Sequence, residues 1–389
     1  MKKRILSLLT VLCMLLTMIP SASFAAGGET PCPDGDACQD EAAIDGNHYP
    51  TLNDAVNAVD KGQTIRLLKD ITLADDAQIR IVCKGEKENP ITLDFNGKTI
   101  TGNNSNTDKP NKATAKSGIL FLDGCYINLV DTSTAGTKGG VVNNTTATSG
   151  MVSALVVMSY SATGSDVTIN DGLRFEADKG ASARGIYHYR GSNAEIYLTI
   201  NDAYVSSGGY VLDCARLGGS GEVVINGGAF ISKKGNNSSP LYGEATLKIN
   251  GGTFHNWSSS NIAKVTDGHT ISMAESDGKY IYTVISEENA PADYVASMQT
   301  SGKTVYMTAG SDLYAFDNIQ SLDKQTIHVA KDVACNIPEK FAIGNRNSGE
   351  TNGSVLKLEL EDGVKLTGSV SLYSADVIVK GSGDTSGFS

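Results

Sequence analysis

The chain is short of basic residues. Its 389 positions carry 32 Lys and Arg against 43 Asp and Glu, a formal charge of −11. Three of those cations, Lys2, Lys3 and Arg4, fall in a leader, so residues 27–389 hold 29 against 43, a charge near −14. Nucleic acid is excluded as a partner on this ground, because its binding needs a basic surface that releases counterions. No CxxC pair occurs, which removes a zinc-type structural cluster. Beyond the leader no apolar run is long enough to span a bilayer. Tryptophan occurs once and proline nine times, while glycine occurs 42 times. With the many Asn, Ser and Thr, this is the composition of a turn-rich β protein.

The leader has the three parts of a secretory signal. Lys2, Lys3 and Arg4 precede an apolar run from Ile5 to Ile19, Pro20 ends it, and Ala22, Ala25 and Ala26 offer a cleavage site near Ala26. The run is too short for a membrane span, and Leu12 ahead of Cys13 argues against lipid attachment. The mature protein is therefore expected to be secreted or at the cell surface, with no transmembrane segment. Six cysteines remain. Cys32 and Cys38 could bridge locally in an oxidising exterior. Cys83, Cys125, Cys214 and Cys335 stand alone in strand-like runs and are expected as free, buried thiols.

What the chain has in place of charge and helix is a repeat. Ile-Asn followed by Gly or Asp returns four times inside short β-type runs: VTINDGLRF, LTINDAYV, VVINGGAF and LKINGGTF. The asparagines are Asn170, Asn201, Asn226 and Asn250, spaced by 31, 25 and 24 residues. A period in the twenties makes each copy one supersecondary unit stacked on the next. Each reads strand, turn, strand, with no room for a helix, which predicts a β-solenoid. Stacking would superimpose the four asparagines as an amide ladder, with the following Gly free to take a positive φ. Phe175, Phe230 and Phe254, with Val205 in the odd copy, predict an inner aromatic column.

The chain divides into five segments: 1–26, the signal; 27–43, a flexible Gly/Pro/Asp-rich stretch; 44–261, the solenoid; 262–316, a hairpin-rich connection; and 317–389, a second β stack. Thr51 can cap a short helix with Asp54 as its partner, and Leu52, Ala55, Val56 and Val59 form its apolar stripe. Such a helix would cover the exposed end of the stack. Residues 103–117 and 132–150 read as projecting loops, the latter alternatively as a sparse rung. Asn289 to Gln299 reads as a short helix with Pro291 in its first turn. The second stack stops abruptly at Ser389, so a continuing polypeptide, or completion by other parts of the chain, is expected.

The INGGTF and INGGAF repeats, the YPTLNDAVNAVDKGQTIRLLKDITL opening and ITLDFNGKTITG resemble right-handed parallel β-helix proteins of the pectate-lyase-like superfamily. More narrowly they are similar to adhesin-like exported surface proteins of Gram-positive bacteria. The resemblance covers residues 43–260 well and 317–380 loosely. It implies an all-β, right-handed parallel β-helix with an N-terminal capping helix and a second, incomplete stack. Its motifs are turn and core residues, so it does not carry a function with it.

A catalytic set is hard to find. Polygalacturonase-like hydrolases carry NTD, DD, GHG and RIK segments and place carboxylates on both sides of the scissile bond. Here Asn106-Thr107-Asp108, Asp75-Asp76 and Asp267-Gly268-His269 occur in the wrong order, and no GHG or RIK is present. A lyase would stack acids on one face, for which Asp94, Asp123, Asp131, Asp171, Asp202 and Asp213 are candidates. Asp171 and Asp202 both follow a ladder asparagine and could share a calcium ion, although Asp after Asn is also ordinary turn chemistry.

The densest polar patch is ARGIYHYRGSNAEIY. Either alternation puts Tyr187 and Tyr189 inward and exposes His188 and Arg190, with Arg184 and Tyr197 near, a set suited to sugar contact, or a local bulge interrupts the strand. His255 and Trp257 form a second contact point, though a tryptophan covering the stack is the plainer reading. The expected function is therefore non-catalytic binding of a polysaccharide or of a cell-surface glycan or protein. A polysaccharide lyase or glycoside hydrolase acting on acidic polysaccharide is the alternative, and a structural spacer of a larger surface protein the third.

Overall fold

The computed structural model describes residues 39–106, 115–134, 136–146, 152–162, 164–180, 182–190, 194–216, 221–233, 241–243, 246–255, 257, 259–276, 279–310, 312–319, 321–337, 354–370 and 375–388. The signal reading and the Cys32–Cys38 pair lie outside these residues. The fold is all-β with long parallel stacks.

The described residues open with β1 (Ala42–Ile44), β2 (Asn47–Tyr49) and α1 (Leu52–Ala58). Strands then come in threes. The first rung is β3 (Thr64–Leu67), β4 (Ile71–Thr72) and β5 (Ile79–Val82). The second is β6 (Ile91–Asp94), β7 (Thr99–Gly102) and β8 (Leu120–Asp123), and the third β9 (Tyr126–Val130), β10 (Gly140–Asn143) and β11 (Ser153–Met158). The fourth is β12 (Gly164–Ile169), β13 (Leu173–Ala177) and β14 (Arg184–Arg190). The fifth is β15 (Glu195–Ile200), β16 (Ala203–Ser207) and β17 (Tyr210–Arg216), and the sixth β18 (Glu222–Ile225), β19 (Ala229–Ser232) and β20 (Leu241–Gly243). β21 (Thr246–Ile249) and β22 (Gly252–His255) begin a seventh.

Each strand of these rungs pairs in parallel with the strand three places on. The order is β3-β6-β9-β12-β15-β18-β21 in the first sheet, β4-β7-β10-β13-β16-β19-β22 in the second and β5-β8-β11-β14-β17-β20 in the third. Residues 132–150 therefore contain a true rung strand, β10, and are not simply a loop.

Register puts like above like. Ile65, Leu93, Leu129, Ile169, Ile200, Ile225 and Ile249 share one position, all fully buried. Ile71, Ile100, Val141, Phe175, Val205, Phe230 and Phe254 share another. Phe230 and Phe254 stack at 4.9 Å between centroids with an 11° tilt. Burying each such side chain contributes roughly 1.5–3 kcal/mol.

The expected amide ladder is present. Asn201 donates from Nδ2 to Oδ1 of Asn170 (2.8 Å), Asn226 to Asn201 (2.7 Å) and Asn250 to Asn226 (2.8 Å). The Thr266 hydroxyl closes the series on Asn250 at 2.6 Å. The glycine roles differ from expectation. In the two INGG copies the second glycine takes the positive φ, +104° at Gly228 and +107° at Gly252. The first glycine allows close approach: a Cβ at Gly227 or Gly251 would stand 2.5 or 2.2 Å from the carbonyl oxygen of Asn201 or Asn226.

α1 is capped as its sequence predicts. The Thr51 hydroxyl accepts the Asp54 N–H (3.1 Å) and donates to the Asp54 carboxylate (2.6 Å). Its stripe of Leu52, Ala55 and Val56 is buried over the first strands. Among the described residues no helix is long and apolar enough to cross a membrane.

After a short α2 (Ser259–Ile262) the sheet changes direction. β23 (His269–Ser276) and β24 (Lys279–Ser286) form a hairpin, with β24 antiparallel to β22. β25 (Ala296–Thr300) and β26 (Lys303–Ala309) form another; β26 runs parallel to β23, and β25 antiparallel to β27 (Thr326–Val329). The expected helix over Asn289–Gln299 is absent. A 3-10 turn spans Glu287–Asn289, and the stretch ends as β25. Ser301 and Gly302, at φ +50° and +74°, make the two-residue turn that commits it to a hairpin. A second 3-10 turn covers Leu313–Asn318.

The second stack follows with β28 (Val333–Ala334), β29 (Ser354–Leu360), β30 (Lys365–Gly368), β31 (Ala375–Gly381) and β32 (Asp384–Phe388). β27-β29-β31 pair in parallel and complete a second sheet of 14 strands among the described residues, and β28-β30-β32 form a separate parallel one.

Candidate functional site

Strand β14, which carries the ARGIYHYR patch, alternates its side chains between two faces, but neither of them is open. Ile186 and His188 face the core, in register with Leu155, Val157, Leu212 and Cys214. His188 is fully buried, so the expectation that it is exposed is overturned. Tyr187 and Tyr189 lie on the opposite face, which is covered as well. There they join Ala115, Phe121, Val156 and Met158 in a second apolar cluster, their rings edge to face at 5.9 Å. Both faces of β8, β11 and β14 are thus buried, and the physical basis for assigning His188 by alternation vanishes.

Arg184 is buried too. Its Nε meets Asp213 Oδ2 at 2.5 Å, and its guanidinium lies 5.3 Å from the Tyr187 ring and 5.9 Å from that of Tyr210. Burial pushes the Asp213 carboxyl above its usual range, against the pull of Arg184. Arg184 is committed to that pair and is not offered to a ligand. Arg190 closes β14 in register with Arg216; its side chain lies outside the described residues. Trp257 is 3 % exposed, 4.3 Å from the Phe254 ring and 6.1 Å from that of Tyr282, and it covers the end of the aromatic column. His255 is half-buried, and burial followed by Lys279 lowers its pKa. Neither is an open contact point.

Of the acids considered for a lyase, Asp94 and Asp123 end strands β6 and β8, Asp213 lies within β17, and Asp131, Asp171 and Asp202 lie between strands. Asp94 accepts from Asn96 N and from the backbone and hydroxyl of Thr132. Asp123 accepts from Tyr160 N, Ser161 N and the Ser161 hydroxyl, and Asp131 from Gly97 N, Ser133 N and Gly139 N. Asp171, at φ +63°, accepts from Asp131 N, while the Asp202 carbonyl receives the Gly172 N–H. Among the described residues no three His, Cys, Asp or Glu side chains are grouped to hold a metal ion.

One set of aligned, partly open residues lies on the outward face of the first sheet. Tyr126, Asp166 and Tyr197 occupy one register position on β9, β12 and β15, and the column continues to Glu222 and Thr246. Beside it run Thr64, Thr92, Asn128, Thr168, Thr199, Val224 and Lys248. The asparagine ladder forms the third column. Tyr126, Asp166 and Tyr197 are all half-buried. Adjacent strands lie about 4.8 Å apart, so the two tyrosines stand roughly 10 Å apart along the stack with the carboxylate midway.

Local sequence sets this geometry. Tyr126 opens β9 after the Asp123-Gly124 turn, and its inward neighbour Cys125 is buried. Gly164 seats the phenol: a Cβ there would stand 2.8 Å from the Tyr126 hydroxyl. Glu195 lies across from Gly164 and is exposed. Asp166 is raised in pKa by burial, partly offset by Lys87. Its carboxylate accepts no hydrogen bond from the described residues, while Glu222 is paired with Lys248 at 2.8 Å. Comparison with protein-family models, curated proteins and solved structures returned no match. Function has to be read from this face itself.

Of these residues the sequence patch around β14 pointed only to Tyr197, as a residue near the Tyr187–Arg190 run. The signal for the others was present: each column member stands four residues ahead of the ladder position, as in YINLV, DVTIN, YLTIN, EVVIN and TLKIN.

Proposed function

We propose that this is an exported, non-catalytic right-handed parallel β-helix of the pectate-lyase-like kind, adhesin-like in use, that binds glycans on the outward face of its first sheet. The observation that carries the reading is the aligned pair Tyr126 and Tyr197 with Asp166 between them. Tyrosine offers an apolar ring to sugar C–H faces and a hydroxyl to their polar edges. Carboxylate, threonine and asparagine columns supply hydrogen-bond partners alongside. The platform is built on strands fixed by two neighbours each, so little ordering is required on binding. The scattered acids and the buried Arg184–Asp213 pair give the lyase and hydrolase alternative no support.

Glycan-array binding of the wild type and of Tyr126→Ala and Tyr197→Ala tests this. Each substitution should weaken binding to the recognised glycan by about tenfold, or ~1.4 kcal/mol. Silence across glycans, or binding indifferent to both substitutions, would overturn the reading and leave the spacer role.

A further inference from the structure

The chemistry of the same face narrows its ligand, and the narrowing rests on that glycan reading. We infer that the face takes an extended β-1,4-linked polymer carrying free amino groups, lying along the stack, with alternate sugars on Tyr126 and Tyr197 and an ammonium on Asp166.

Direction comes from register. The three side chains sit on successive strands at one position, so the line joining them runs along the stacking axis and across the strands. Two inter-strand steps, about 10 Å, match the disaccharide repeat of an extended β-1,4 chain. In such a polymer alternate sugars present the same edge, so two rings at this spacing receive equivalent units and the residue midway meets the unit between.

Charge sets the class. The midway residue is a carboxylate, half-buried between two phenol-bearing positions and lacking hydrogen bonds from the described residues. Glu195 adds a second, exposed carboxylate beside the first, across from Gly164. Cations near this column among the described residues include Lys87, which acts on Asp166, Lys84, whose carbonyl accepts the Tyr126 N–H while its ammonium is held by the Asn57 and Val59 carbonyls, and Lys248, which is paired with Glu222. A uronate polymer would bring its carboxylates against Asp166 and Glu195, a like-charge juxtaposition that rejects it. A neutral polymer would leave Asp166 with hydroxyl donors alone. An ammonium gives it a charge-assisted partner, the stronger kind of hydrogen bond.

Titration calorimetry on the full chain decides it, using β-1,4 hexamers of glucosamine, N-acetylglucosamine and glucose, and a hexagalacturonate. The glucosamine hexamer should bind at least ~10-fold more tightly than the glucose hexamer, with an advantage that shrinks as salt rises. Asp166→Asn should bring the glucosamine-hexamer affinity down to that of the glucose hexamer and remove its salt dependence; Tyr126→Ala and Tyr197→Ala should weaken both. Equal affinity for the glucosamine and glucose hexamers, preference for the N-acetylated one, or preference for hexagalacturonate would overturn the amine assignment. If such binding still fell on Tyr126→Ala, the glycan-binding reading would survive. No binding by any hexamer, with a silent glycan array, would remove both.

Discussion

Replacing Asn226 by Ala tests the amide ladder quantitatively. Asn226 donates to Asn201 at 2.7 Å and accepts from Asn250 at 2.8 Å. Asn170, at the end of the series, only accepts, from Asn201 at 2.8 Å. A hydrogen bond of this type contributes about 1 kcal/mol net, and water can reach these amides, so each lost bond should sit at or below that figure. Asn226→Ala should therefore lower the unfolding free energy by about 2 kcal/mol and Asn170→Ala by about 1 kcal/mol. Whatever turn preference asparagine contributes is lost in both variants and largely cancels in the difference. Urea denaturation followed by circular dichroism measures it, as a fall in midpoint at constant slope. A double-mutant cycle on Asn201 and Asn226 should return a coupling of about 1 kcal/mol. Equal losses for the two single variants, or a coupling near zero, would show that the stacked amides are neighbours without energetic linkage.

Two further outcomes concern buried groups. Arg184→Met should destabilise the protein by about 3–5 kcal/mol near neutral pH, because it strands the Asp213 carboxylate in a dry site. Asp213 already has a raised pKa in the folded state, so the folded form binds its proton more tightly than the unfolded chain does. Stability from this group thus falls as pH rises from the unfolded value toward the folded one, and thermal melts of the variant should recover on acidification; a loss independent of pH would refute this. Among the four described cysteines, Cys83 is exposed while Cys125, Cys214 and Cys335 are buried, a correction to the expectation that all four are inside. Iodoacetamide followed by peptide mass analysis should label Cys83 in the native protein and the other three only after denaturation; burial lifts the Cys125 and Cys335 thiols to about 12.

The parts of the fold legible in the sequence were those with one buried and one open face. In LKIN and VVIN the alternation has a phase, and Ile225 and Ile249 went inside as their spacing required. Thr51 and Asp54 announced α1 because capping is local chemistry. The third sheet defeated the same logic. SALVVM and RGIYHYR are buried at every described position, so no phase exists to be read and His188 could not be placed. At Ala296–Thr300 local helix preference lost to the Ser301-Gly302 turn and the pairing it imposes. Tyr126 escaped notice because Val130 replaces the ladder asparagine in its rung, which hides the register it shares with Asp166 and Tyr197.

Between β22 and β27 the second sheet passes through four antiparallel contacts and one parallel one. Four is even. The later array therefore points the same way as the earlier one, and the carboxyl ends of strands as distant as β4 and β31 line a single rim. An insertion with one hairpin edge more or fewer would have turned everything after it upside down, carrying those ends to the other side of the molecule.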